Sequence, residues 1–115
     1  MTMSKWIAWM PRDGRPGHVY LIDLGNGLYK IGRSTDPKKR LKDFRTTNPE
    51  ARIIANGLVG HNTRTEYELH MLYSGKRVAG EIYRLEPTDI DWICDQIAVA
   101  SRDYQTRAAN RRETL

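Results

Sequence analysis

Tyr20, Tyr29, Lys30 and Arg33 fall within fourteen residues of one another, close enough for a single hairpin to gather them. Glu66 and His70 stand four apart, the spacing that puts two side chains on one helical face. Between these groups runs KKRLKDFR, residues 38–45, with five cations in eight positions. A divalent ion such as Mg²⁺ keeps several of its waters and needs few protein ligands, so one carboxylate such as Glu66 suffices to hold it. The guanidinium of Arg40 offers a planar fork that fits a phosphate. A phenol with a pKa near ~10 serves as a base only if a cation or metal lowers it. Lys30 or Arg33 can supply that field for Tyr20. Groups of these types can serve reactions at phosphate, which call for an activated water, charge stabilisation on the phosphoryl oxygens and help for the leaving alkoxide.

Each residue also has an ordinary reading. Glu66 and His70 can be a solvated helix pair worth ~0.3–0.5 kcal/mol. Arg40 can be one more cation on a charged face, Tyr20 a plain strand aromatic and His70 a helix histidine turned to the core. Glu81 can be a structural residue at a strand start or a second metal ligand. His18 and His61 lack metal-ligand spacing with the single cysteine, Cys94, so a zinc site is not expected.

The elements that must position these groups are legible from local patterns. HVYLIDL and LYKIGRS are strand formers on either side of Asn26-Gly27, a tight-turn dipeptide, so residues 18–33 read as a β-hairpin. Because strand side chains alternate faces, Tyr29 cannot take the place of a residue at 30. Thr35-Asp36-Pro37 supplies an N-cap and an early helical proline for a short helix on which Leu41 and Phe44 share the apolar face and Arg40 flanks it. Residues 52–59 suit another strand, which Asn56-Gly57 can bend or interrupt. Asn62 or Thr63 caps a helix over roughly 63–73, EIYRL at 81–85 is a short strand, and Thr88 or Asp89 caps a third helix with Ile90, Ile93 and Ile97 on one side. The order describes a compact α+β domain. Residues 1–16, closing on PRDGRPG, form an irregular lead-in whose Trp6 and Trp9 either cover the core or meet a partner. The domain proper spans 17–100, and 101–115 is a basic helix end or tail carrying Arg102, Arg107, Arg111 and Arg112.

Composition sets the class. Nineteen Lys and Arg against fourteen Asp and Glu leave a net charge of +5, a balance that attracts polyanions such as nucleic acid. No run approaches the ~20 apolar residues of a membrane span, and the opening residues do not read as a secretion signal. With one cysteine the expected compartment is reducing, hence cytoplasmic.

Taken together, the motifs resemble the GIY-YIG endonuclease superfamily, and within it the small phage T5-type and meiotically up-regulated gene branch. His18-Val19-Tyr20 stands in place of Gly-Ile-Tyr and Lys30-Ile31-Gly32 in place of Tyr-Ile-Gly, the Lys-Ile-Gly form being common in that branch. Arg33 follows, Arg40 lies eight residues beyond Gly32 as the catalytic arginine does, and TEYELH puts Glu66 at the metal-binding carboxylate. GEIYRL is similar to the branch's closing Gly-Glu-Trp-Phe strand. The likeness covers about residues 17–85, some three fifths of the chain.

The resemblance implies a small domain with a central three-stranded antiparallel sheet flanked by helices. It implies catalysis by Tyr20, Lys30, Arg33, Arg40 and His70, with Mg²⁺ or Mn²⁺ on Glu66. Lys38, Lys39, Lys42 and Arg45 are then expected to grip flanking phosphates without reading sequence. The expected substrate is DNA, with RNA left open. On 115 residues no separate recognition module is expected, so selectivity is low or supplied by a protein partner. The rival expectation is a catalytically silent nucleic-acid-binding or protein-interaction module.

Overall fold

The computed structural model describes residues 15–114, so Trp6 and Trp9 lie outside the described residues. The chain forms β1 (Gly17–Gly25), β2 (Leu28–Ser34), α1 (Pro37–Phe44), β3 (Arg52–Val59), α2 (Asn62–Leu72), a 3₁₀ turn (Ser74–Lys76), β4 (Arg77–Ala79), β5 (Ile82–Arg84) and α3 (Pro87–Thr114). The α+β class is as expected. The sheet is not: among the described residues it has five strands, in the order β3-β1-β2-β5-β4, rather than three. The extra pair is a second hairpin that turns at Gly80, φ 52°, and adds β5 to the edge of β2. Strands of three residues are too short to show a period of two, so the local pattern does not announce that β4 exists or that β5 joins this sheet.

The first hairpin turns on Asn26 and Gly27, with φ of 57° and 76°. Two consecutive positive φ values match the right-handed twist of the flanking strands, which is why Asn-Gly serves here. Tyr20 faces Gly32 across β1 and β2, and Lys30 faces Ile22. Directly opposed residues share a face. One face of the sheet thus carries Tyr20, Ile22, Lys30 and Gly32, and the other carries Val19, Leu21, Ile31 and Tyr29. The second face is the main core, where Val19, Leu21 and Ile31 pack with Leu69 of α2, Tyr83 of β5 and Ile93 and Ile97 of α3. The first face holds a smaller cluster in which Tyr20, Ile22 and Ala51 meet Leu41 and Phe44 of α1.

Asp36 caps α1, its side chain accepting from the Lys39 N–H at 3.2 Å. The cap of α2 is His61 rather than Asn62 or Thr63; its Nδ1 accepts from the Arg64 N–H at 3.2 Å. Asn62 is instead buried, packed under Gly17, which takes it out of the capping position. β3 runs through Asn56-Gly57 without a break, and the irregularity of its pairing with β1 falls at Ile54. α3 begins at Pro87, ahead of the expected Thr88 or Asp89 cap, and Asp89 in its first turn accepts from the Glu86 N–H at 2.9 Å. It continues as one helix through residues 101–114. No described helix is long and apolar enough to cross a membrane.

Candidate active site

The pairing of β2 explains where polar groups can gather. Its first half is held on both sides, by β1 and by β5, but β5 reaches only as far as Lys30. Beyond a last backbone bond from the Ile31 N–H to the Glu81 carbonyl at 3.2 Å, the edge at Gly32 is open. Side chains from both faces of the sheet converge there. The main core lies on one side of this edge and the small α1 cluster on the other, and Arg33, exposed, marks where β2 emerges from them.

Tyr20 reaches the strip because residue 32 is glycine. A Cβ at Gly32 would lie 2.5 Å from the Tyr20 hydroxyl oxygen and 2.6 Å from Cζ, so the phenol ring occupies the space a side chain would need. The Tyr20 hydroxyl lies within hydrogen-bonding reach of the Arg40 guanidinium. Burial raises the Tyr20 pKa, and the Arg40 charge only partly offsets it, so the phenol keeps its proton at neutral pH. Phe44 anchors the cations of this face: Lys30 Nζ is 5.1 Å and the Arg40 guanidinium 5.6 Å from its ring centre. α1 is therefore held by Leu41 and Phe44 in the orientation that turns Arg40 toward the sheet.

From the opposite face α2 brings Glu66 and His70. Glu66 is 15% exposed, and Arg33 Nε approaches its Oε1 at 3.5 Å. Burial, reinforced by the charge of Glu81, raises the Glu66 pKa to about 7 against the pull of Arg33 and Lys30. His70 has its Nδ1 on the Tyr83 hydroxyl, while its Nε2, 3.8 Å from Glu66 Oε1, is buried with no hydrogen-bond partner among the described residues. Burial lowers the His70 pKa, so at neutral pH the ring is uncharged and its approach to Glu66 is not an ion pair. Glu81, just ahead of β5, closes the group. Its Oε2 is 3.4 Å from Lys30 Nζ, and Glu66, His70 and Glu81 each turn one ligand atom into a cluster within 4.8 Å. The cluster lines a cleft of about 370 Å³ together with Arg77 and Tyr83.

The structure thus brings Tyr20, Lys30, Arg33, Arg40, Glu66 and His70 to one strip. It leaves the other cations of residues 38–45 apart from it. Lys38, Lys39 and Lys42 are exposed on the outer side of α1. Arg45 uses its Nε to donate to the Ala51 carbonyl at 2.8 Å, tying the end of α1 to the segment before β3. Tyr29, opposite Asp23 and Tyr83 in the register, packs on the main-core face, away from Tyr20. Tyr83 had no local signal, and Glu81 was open between a structural role and a second ligand. Tyr83 orients the His70 ring, and Glu81 supplies a second carboxylate; only the pairing of β5 with β2 puts either one at the site.

The residues present suit a divalent ion. Two carboxylates and a neutral imidazole are donors such ions accept, and a buried imidazole nitrogen lacking a partner is what an ion would satisfy.

The family model described as the T5orf172 domain matches residues 17–98, from the first residue of β1 into α3. No curated protein and no solved structure matches the chain.

Proposed function

The chain belongs to the T5orf172 domain family, and on that premise we propose that it is a metal-dependent endonuclease of the GIY-YIG type. It hydrolyses phosphodiester bonds of nucleic acid, DNA in the first place, with low intrinsic sequence selectivity, in the reducing interior of a cell. Membership alone supports the coarser statement, a nuclease-like or nucleic-acid-associated role. The observation that carries the finer one is the convergence of Tyr20, Arg40, Lys30, Arg33, Glu66 and His70 on the open edge of β2.

In the reaction a water oxygen bonds to phosphorus, the bond to the leaving oxygen breaks, and one proton passes from the water while the leaving alkoxide gains one. Glu66 would hold Mg²⁺ or Mn²⁺, and the bound ion would supply Lewis-acid polarisation and a more acidic water. Arg40 presents its fork to the non-bridging oxygens, where negative charge grows in the transition state. Tyr20 keeps its proton, so its hydroxyl donates a hydrogen bond and orients the phosphate or the water instead of acting as the base. Lys30 and Arg33 add positive charge from either side of Gly32. His70, uncharged, has a nitrogen lone pair to offer beside Glu66. Lys38, Lys39 and Lys42 extend the binding surface along flanking phosphates.

The test is incubation with supercoiled plasmid in Mg²⁺, Mn²⁺ or chelator, beside Glu66→Ala and Arg40→Ala. The expected result is nicking that requires metal and falls by about 10²-fold or more in each variant. One observation favours a second reading, a silent nucleic-acid-binding module: both carboxylates already face a cation, Glu66 that of Arg33 and Glu81 that of Lys30. Salt-sensitive plasmid binding with no cleavage, unchanged by chelator and by Glu66→Ala, would select that reading.

A further inference from the structure

We propose that His70 and Glu81 are metal ligands alongside Glu66, and that this mixed site selects a first-row transition ion, with Mn²⁺ as its representative, over Mg²⁺. The inference rests on the reading of Glu66 as a metal ligand and adds the rest of the donor set and the class of ion.

Three observations carry it. First, the ligand atoms of Glu66, His70 and Glu81 lie within 4.8 Å of one another, although they come from α2 and from the turn before β5. Two donors on opposite sides of a single first-row ion stand ~4.2 Å apart at metal–ligand distances of ~2.1 Å. A small rotation of Glu81, whose side chain is 46% exposed, closes the difference. Second, the His70 ring is fixed by a contact that leaves the other nitrogen for the cluster. Nδ1 meets the Tyr83 hydroxyl and the buried Nε2 faces Glu66 without a hydrogen-bond partner among the described residues. With an Nδ1–H donating to the Tyr83 oxygen, Nε2 carries its lone pair into the cluster, the arrangement in which an outer partner sets the tautomer of a ligating imidazole.

Third, the cations that now neutralise the carboxylates are held loosely. Lys30 meets Glu81 at 3.4 Å and Arg33 meets Glu66 at 3.5 Å, each through a single approach at the long end of ion pairing. A divalent ion among the three donors replaces that compensation and frees Lys30 and Arg33 for phosphate oxygens. Imidazole nitrogen discriminates between ions: first-row transition ions accept it, Mn²⁺ the least strongly of them, whereas Mg²⁺ takes oxygen and dehydrates reluctantly. Two carboxylates alone would leave Mg²⁺ competitive. The nitrogen of His70 shifts the site away from it.

Titration calorimetry with Mn²⁺ alone and with Mg²⁺ alone tests this on the wild-type chain, Glu66→Gln, His70→Asn and Glu81→Gln. Electron spin echo measurements on the wild-type Mn²⁺ complex accompany it. The expected result is one Mn²⁺ per chain with nitrogen modulation from a coordinated imidazole. His70→Asn should lose at least about tenfold in Mn²⁺ affinity and little in Mg²⁺ affinity, so that the ratio between the ions collapses. Glu81→Gln should weaken both ions. If Glu66→Gln alone abolishes binding and no nitrogen modulation is seen, Glu66 stands as the ligand and this inference falls. If the wild-type chain binds neither ion, both fall. The spectroscopic arm needs no variant, so a misfolded His70→Asn leaves the proposal open to refutation.

Discussion

The acid cluster at the edge of β2 and the cation-rich helix α1 lie on opposite faces of one sheet and follow opposite physical rules. Glu66 and His70 are largely buried, face one another and Glu81 within a few ångströms, and have their ionisation pushed away from its ordinary range. Lys38, Lys39 and Lys42 are exposed, and no ion pair ties them to another described residue. Burial fixes geometry and makes each missing partner costly, so the cluster is suited to chemistry. Exposure leaves charges screened and adaptable, so the helix is suited to a phosphate backbone and carries no information about sequence. Arg40 joins the two regions. It belongs to the cationic helix by sequence, yet Phe44 and Tyr20 hold it to the sheet.

The largest separation of the two regions should come from comparing Glu66→Gln with the triple substitution of Lys38, Lys39 and Lys42 to Ala. Glu66→Gln is expected to remove turnover, by about 10²-fold or more, while plasmid binding in chelator stays near the wild-type level. The triple variant should do the reverse. Its turnover at saturating DNA stays close to wild type, and the slope of log binding constant against log salt becomes shallower by up to ~0.9 for each phosphate that is no longer neutralised. Filter binding over a salt series and single-turnover nicking measure both. If the triple variant keeps the wild-type salt slope, the outer face of α1 does not touch nucleic acid.

A more local break targets the place where the two faces meet. Gly32→Ala puts a methyl group into the volume of the Tyr20 ring, and β1 and β2 are paired too tightly to part. Overpacking of this kind costs roughly 1–3 kcal/mol. The expected outcome is a lower melting temperature together with loss of nicking, because Tyr20 and Arg40 move as one. The double variant Tyr20→Ala with Gly32→Ala relieves the clash, so it should recover stability and not activity. Equal loss in both variants would mean that the methyl group does its damage elsewhere.

How far the sequence disclosed this arrangement follows the same division. Signals that act within a few residues were readable: Asn26-Gly27 for the hairpin, Asp36-Pro37 for the start of α1, and alternation for the separation of Tyr29 from Lys30. Motif order brought Tyr20, Arg40 and Glu66 forward together, and the fold sets them around one strip. What the sequence did not disclose depends on long-range pairing. β4 and β5 are three residues each, and the addition of Ile82–Arg84 to β2 rests on the open edge of that strand and on the main core that Tyr83 enters, both built by residues far away in the sequence. Glu81 and Tyr83 inherit their places from that pairing, which is why the sequence left Glu81 open between a structural residue and a second metal ligand. His61 displaced Asn62 as the cap for a similar reason, because the space under Gly17 claims the Asn62 side chain.

The smallest expected effect sharpens the contrast through pH. Glu66 has its pKa raised from an unfolded value of 4.5 to about 7 by burial and by Glu81. A carboxyl whose folded pKa lies above its unfolded one contributes stability that is complete below pH 4.5 and is lost as the pH rises through about 7. His70 works in the opposite sense: its folded pKa is lowered, so its contribution is complete above the ordinary histidine range and is lost as the pH falls through the folded value. Melting curves of the metal-free wild-type chain alone would mix the two. The difference between wild type and Glu66→Gln isolates the carboxyl, because Gln mimics its protonated form at every pH. The two chains should melt together near pH 4.5, and the wild type should fall behind by on the order of 1–2 kcal/mol by pH 8, after allowance for solvent screening. Saturating Mn²⁺ should cancel that lag, since the ion favours the charged carboxylate the fold alone disfavours. A lag that persists in Mn²⁺ would mean the ion does not bind at Glu66.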